Sequence, residues 1–398
     1  MLERGPRGLE STSRSPIAPT TPVEAAVLAF LASAIIGTAI VLTRRFHQRF
    51  SLDQISIFRR KIHTASAPRI GGIALVAGVA AGSLALEPEA RSTAITLALC
   101  GIPALLGGLG EDFTRKVSSV ARLVFTFIAA AIAYFVLDAS ITDLALPGSA
   151  WLLGFAIPSL LFTMFAVGGL AHGINIVDGL NGLAGFTALL VLGAIAWVAT
   201  QVGDQPIALI ALLVAGSVAG FLVWNFPRGA LFLGDGGSYF LGFLIAELAV
   251  LLVHRNSDVS PWFALTVLAY PVCETLFSAW RRRVLHGQGA MVADGLHLHT
   301  LVYKRLVRRR GKGGTGQNAL AAVYLAVLCA TVVLPAMFMW DNTLALQGIA
   351  AVFTVFYLIL YRGLVRFRFP RWLSARGSVH NGARRARRAE LHQARSGK

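Results

Sequence analysis

Acidic residues are scarce in this chain. Asp and Glu together number 19 of 398 residues against 36 Lys and Arg, and all charged residues amount to 14%. With 56% hydrophobic residues and a mean hydropathy of +0.66, that excludes an ordinary soluble domain and describes a polytopic membrane protein. Cysteine is scarcer still. Cys100, Cys273 and Cys329 each sit inside an apolar run, which excludes a disulfide framework and a cysteine-based metal site. Basic residues are seldom interleaved with aromatics on a soluble module, so nucleic acid is set aside as a partner. The net charge of +17 then becomes a matter of where Lys and Arg stand relative to the lipid bilayer.

What the chain does have is apolar runs long enough to cross ~30 Å of hydrocarbon. They fall at Val23–Leu42, Ile70–Leu86, Thr93–Leu109, Val120–Leu137, Trp151–Leu170, Leu183–Val202, Pro206–Phe226, Ser238–Val253, Pro261–Ala279, Ala319–Met339 and Leu344–Tyr361. The first is long, and Thr43-Arg44-Arg45 follows it instead of a small-residue cleavage site, so it reads as a retained helix. Basic residues crowd the loops after spans one, three, seven and nine and the tail after span eleven. The opposite loops hold only Arg91 and Arg255. The expectation is an all-α protein of about eleven transmembrane helices, N-terminus outside and C-terminus cytoplasmic. Residues 1–22 read as a disordered tail, 23–361 as one multi-span domain, and 362–398 as a basic tail able to meet anionic lipid.

The stretch Ala171–Gly185, AHGINIVDGLNGLAG, interrupts the apolar pattern. Asn175, Asp178 and Asn181 recur every three residues and would share one face of a helix. A carboxylate there is costly unless it meets water, a metal or a partner. The alternative is a helix break that packs two membrane helices.

Other polar stretches fall on the same side. Glu111-Asp112 precedes Arg115-Lys116, either as a solvated cap or as adjacent acids requiring a cation. Phe232-Leu-Gly-Asp235-Gly-Gly-Ser238 is a glycine-rich turn opening a helix. Its N–H groups could hold phosphate and Asp235 a hard cation, or Asp235 or Ser238 could simply be the cap. Asp294-Gly-Leu-His297-Leu-His299 places two imidazoles alike in an extended segment, and a zinc site lacks further ligands. RRKIHTASAPRIGG, with Lys61 and His63, ends in a Pro68-Arg69 corner more specific than topology requires. Together these groups suit a magnesium-assisted phosphoryl reaction, in which catalysis is mostly positioning and charge neutralisation.

KIHTASAPRIGG, GLGEDF, NIVDGLNGLAG, WNFPRGALFLGDGGSYFLGF and DGLHLHTL stand in that order on one membrane side. Through them the chain, from about Phe46 to Tyr361, resembles the polyprenyl-phosphate N-acetylhexosamine-1-phosphate transferases. This is glycosyltransferase family 4, with the WecA-type enzymes and the MraY translocase. The resemblance implies that a UDP-sugar and undecaprenyl phosphate are the substrates, UMP the product and a lipid-linked cell-envelope glycan, such as lipopolysaccharide O-antigen, the destination. It implies Mg²⁺, with Mn²⁺ as a substitute. Asp112 matches the carboxylate that activates the lipid phosphate, and Glu111 stands where the family usually has Asp. Asp235 matches the metal-binding Asp, with Asn175 as a second ligand. Asp178 and Phe232 match the uridine end. Asn181 replaces a frequent Asp and is expected to hydrogen-bond substrate. Asp294, His297 and His299 match the sugar and phosphate region, and Lys61 and His63 the phosphate contacts. Thr300 stands where MraY-type chains carry a third histidine, favouring a small N-acetylated sugar over a peptide-bearing one and placing the chain on the WecA-type branch. A homodimer stays an open option.

The rival from another class is a transporter or flippase of lipid-linked sugars. It would put its polar groups near the midplane, where Glu247 is the clearest candidate.

Overall fold

The computed structural model describes residues 22–51, 67–286, 296–307 and 315–366. Lys61, His63 and Asp294 lie outside them, as do the expected tails apart from Pro22 and residues 362–366, nearly all of which belong to terminal helices. Every described element is helical. In chain order they are α1 (Pro22–Leu42), α2 (Arg44–Ser51), α3 (Gly71–Ser83), α4 (Pro88–Cys100), α5 (Ile102–Thr114), α6 (Ser119–Val136), α7 (Ser149–Leu153) and α8 (Ala156–Val177). There follow α9 (Leu183–Gln201), α10 (Gln205–Asn225), α11 (Gly234–Arg255), α12 (Pro261–Val267), α13 (Ala269–His286), α14 (Leu298–Val302) with a π-helical turn after it (Tyr303–Val307), α15 (Thr315–Phe338) and α16 (Thr343–Val365).

Among the described residues, eight helices are long and apolar enough to cross a membrane, or ten if two bent pairs count as one span each. The pairs are α4–α5, bent by 43° around Gly101, and α12–α13, bent by 73° at Leu268. The remaining expected span, Ile70–Leu86, is met by α3, which has 13 residues. At about 1.5 Å per residue it reaches ~20 Å, short of the hydrocarbon thickness. The run Trp151–Leu170 is not one helix either. It breaks after α7, and α8 restarts with Pro158 in its first turn, where a missing N–H costs nothing. The chain is thus an all-α polytopic membrane protein.

α11 is the axis of the bundle, its residues buried from Gly234 to Leu252. α3, α5 and α8 pack on it, which brings the start of α3 and the ends of α5 and α8 to its N-terminus. On the other flank α10 lies against α1 through small residues. A Cβ at Gly216 or Gly220 would run into the carbonyl oxygens of Ala26 and Phe30. Such close backbone contact is how helices gain dispersion energy where lipid removes the hydrophobic drive. α16 is the least buried of the long helices.

Candidate active site

The site is built on the entry into α11. The segment before it is held in an extended pairing: Phe232 N–H donates to Pro68 O at 2.9 Å, and Gly71 and Gly72 N–H donate to Phe232 O and Leu233 O, each at 2.9 Å. This fixes the Pro68-Arg69 corner beside Gly234. Gly234 has φ +77°, and a side chain there would collide with the Arg69 carbonyl and the Asp112 carboxylate. The first N–H groups of α11 have no intrahelical acceptors. Neither Asp235 nor Ser238 caps them. Asp112, reaching across from α5, accepts from Asp235 N–H at 2.9 Å with Oδ1 and from Gly236 N–H at 2.8 Å with Oδ2. Its negative charge also faces the positive end of the helix dipole. Gly108 of α5 makes room for this by touching the Gly236 backbone. Asp112 is 2% exposed.

Asp235 stands among donors. Its Oδ1 accepts from Arg69 Nη2 at 3.2 Å and from Asn175 Nδ2 at 3.0 Å, and its Oδ2 pairs with Arg122 Nη1. Arg69 also lies 3.5 Å from Asp112 Oδ1. Two guanidiniums thus balance two carboxylates in a largely buried cluster, without which either charge would be costly. Arg122 is set at the start of α6, where Ser118 caps the helix and Ser119 Oγ accepts from Arg122 Nη2 at 2.9 Å. Its guanidinium lies 5.6 Å from the Tyr239 ring centroid. The Tyr239 hydroxyl is 2.7 Å from His172 Nδ1.

The Asn175, Asp178, Asn181 series does not stay on one helical face. α8 ends at Val177, and Gly179 and Gly182 (φ +91°) turn the chain away. Asn175 and Asp178 remain at the site, with Asp178 Oδ2 accepting from Ser238 Oγ at 3.3 Å. Asn181 is rotated out of it and 2% exposed. Its Nδ2 donates to Pro227 O at 3.0 Å and its N–H to Asn318 Oδ1 at 2.7 Å, while Gly182 N–H donates to Asn225 Oδ1 at 2.6 Å. These amides tie the α8–α9 turn to the α10–α11 turn and to α15.

Glu111 also turns away from its neighbour: its Oε2 accepts from Val117 N–H at 2.9 Å and closes the α5–α6 turn, where Arg115 is left-handed with φ 57°. The two adjacent acids avoid repulsion by facing different partners. Phe232 is half-buried at the mouth of the glycine turn. His297 and His299 stack with centroids 5.4 Å apart and planes 6° from parallel. His299 rests on Gly179, where any Cβ would overlap its ring, so the histidine pair adjoins the Asp178 turn. Arg122 and Glu274 were legible only as lone charges inside expected apolar runs, a signal that marks function in membrane helices.

A helical membrane bundle that gathers acids, arginines, amides and imidazoles at one end of its central helix defines an integral-membrane phosphotransferase. The comparisons narrow that class. Residues 94–253 match the model of glycosyl transferase family 4. A probable undecaprenyl-phosphate N-acetylglucosaminyl 1-phosphate transferase of Bacillus subtilis is 32% identical over 280 residues, 69% of this chain and 76% of the relative. A decaprenyl-phosphate N-acetylglucosaminephosphotransferase of Mycobacterium leprae is 27% identical over 312 residues, covering 69% and 74%. A phospho-N-acetylmuramoyl-pentapeptide-transferase of a Geobacillus species is 30% identical over 244 residues, covering 58% and 74%. The chain belongs to this family of polyprenyl-phosphate sugar-1-phosphate transferases.

Proposed function

We propose that the protein moves N-acetylglucosamine-1-phosphate, or a close N-acetylhexosamine equivalent, from a UDP-sugar to undecaprenyl phosphate in the inner membrane, with the site facing the cytoplasm. A lipid phosphate oxygen attacks the β-phosphorus of the UDP-sugar. The bond from that phosphorus to the bridging oxygen breaks, and the oxygen leaves with UMP. One observation carries the reading: Asp235 held at the start of α11 between Arg69, Arg122 and Asn175 on a turn anchored by Asp112.

That pairing is suited to exchange. A diphosphate competes for the guanidiniums, which then act on the charge spreading over the transferred phosphoryl group. The carboxylate so released is a hard oxygen donor. Among the described residues no three His, Cys, Asp or Glu stand close enough for an all-protein metal site. Asp235, with the Asn175 amide turned to present its oxygen in place of the Nδ2 that now donates to Asp235, would instead suit Mg²⁺ or Mn²⁺ shared with substrate phosphates, since Mg²⁺ is usually held through one or two carboxylates and those phosphates. The ion would supply neutralisation of phosphate charge. Asp178 and Phe232 border the space for the uridine, and His297 and His299 that for the sugar phosphate. Asp112 has both oxygens engaged by backbone amides, so a direct part in activating the lipid phosphate requires one of those bonds to loosen.

A mostly apolar cavity of about 680 Å³ runs along α8, α11, α12 and α13, with Phe162, Phe165, Leu170, Val250 and Leu268 in its wall. Its walls suit a prenyl tail, and Thr275 lies both in its lining and beside Gly173 on the last turns of α8. The test is purified protein with UDP-N-acetylglucosamine, undecaprenyl phosphate and Mg²⁺, without any gradient. UMP and a lipid-linked diphosphate sugar are expected. No UMP from this or any of a panel of UDP-sugars defeats the proposal and returns the transporter alternative.

A further inference from the structure

Glu274 belongs to no motif, yet it is fully buried on α13 with donors on both oxygens. Its Oε1 is 2.9 Å from His297 Nδ1 and 3.1 Å from the Leu298 N–H. Its Oε2 is 3.0 Å from the Tyr357 hydroxyl of α16 and 3.3 Å from the same N–H. Ser278, one turn further along the same face of α13, puts its Oγ 3.2 Å from His297 Nδ1. A carboxylate has no proton to give, so Nδ1 of His297 is the donor and Nε2 becomes the ring's acceptor. The backbone is fixed by the same group, because the Leu298 N–H is one of the first, otherwise unsatisfied donors of α14. Arg281 adds a second anchor by donating to Leu296 O at 2.8 Å and to the Tyr361 hydroxyl of α16.

We infer that Glu274 is a positioning residue for the reaction: it sets the tautomer and ring plane of His297 and, through the stack, of His299. α16, which otherwise faces lipid, contributes by holding Glu274 with Tyr357. This rests on the proposed transferase reading for its kinetic consequence but not for its structural one.

The test has two arms. In protein carrying ¹⁵N-labelled histidine, with His297→Gln used to assign the signal, His297 of the unaltered chain is expected as the Nδ1–H form. An Nε2–H form there overturns the inference whether or not the protein is active. In the UMP assay, Glu274→Gln is expected to raise KM for the UDP-sugar and lower kcat/KM by about 10- to 100-fold, as loss of an orienting partner does elsewhere. Tyr357→Phe should do so by about threefold, since it removes one neutral hydrogen bond. Adding Glu274→Gln to His297→Gln should cost nothing further. A merely structural role would lower the active fraction at unchanged KM and would multiply with the His297 loss; either result overturns the inference. If Glu274→Gln does not fold, the ¹⁵N arm and Tyr357→Phe still decide. Silence of the unaltered protein with every UDP-sugar would count against the transferase reading alone.

Discussion

α11 carries two buried carboxylates twelve residues apart, and their surroundings differ completely. Asp235, in its first turn, has guanidiniums from the Arg69 corner and from α6 and an amide from α8 within reach. Glu247, in its middle, is 0% exposed and neither oxygen has a hydrogen-bond partner. A charge in low dielectric is tolerable only where opposite charge arrives with it. At the helix entry, other chain segments end and deliver that charge on side chains able to exchange partners. In the middle, the neighbouring helices present apolar flanks and nothing arrives. Along α11, then, the buried carboxylate that finds ionic partners is the one in the first turn and not the one at mid-helix, as a transferase needs and a midplane transporter does not.

The largest expected effect tests the active half of that contrast. Asp235→Asn should cut UMP release by about a thousandfold or more, the scale for groups that stabilise developing charge. Chelation of divalent ions should likewise stop release, yet shift the melting midpoint by no more than about 2 °C, because Arg69 and Arg122 still balance the carboxylate. A large drop in midpoint would mean that a metal is structural. Next, Arg122→Ala should cost about a hundredfold and Arg122→Lys about tenfold in kcat/KM, since a point charge replaces only part of a planar fork. Equal activity of both variants with the unaltered chain would remove Arg122 from the site.

Asp112→Asn separates support from chemistry. Losing one acceptor for the α11 amides should cost about 1–3 kcal/mol of stability. A fall in activity without any fall in melting midpoint would show that the carboxylate acts on substrate directly. The smallest effect belongs to Glu247. Glu247→Leu should leave kcat/KM within about twofold and raise the melting midpoint, because an apolar side chain replaces a buried group lacking partners. A large loss of activity would break the contrast between the two carboxylates.

Much of this was legible in the residues. The apolar runs predict the helices, because crossing lipid demands length and hydropathy that few other structures need. They do not predict the breaks at Gly101 and Leu268, since the apolar runs Thr93–Leu109 and Pro261–Ala279 continue through both positions. Asp235, Asn175 and Asp178 stood out as polar residues among apolar ones, and they converge. Asn181 stood out by the same rule, yet it packs between turns, because a three-residue spacing implies a shared face only while the helix lasts. Glu111 stood out beside Asp112, but a carboxylate on a tether of two methylenes can turn to a local N–H.

The sequence by itself determined that this is a helical membrane protein, which polar stretches interrupt its apolar runs, and which family it resembles. Only the tertiary structure decided that Asp112 caps α11 from another helix, that Arg122 faces Asp235, and that Glu274 and Tyr357 hold His297. The reason is physical. Hydropathy and periodicity are local properties of a segment, whereas which donor satisfies which buried acceptor depends on how separate helices pack, and no spacing along the chain encodes that distance.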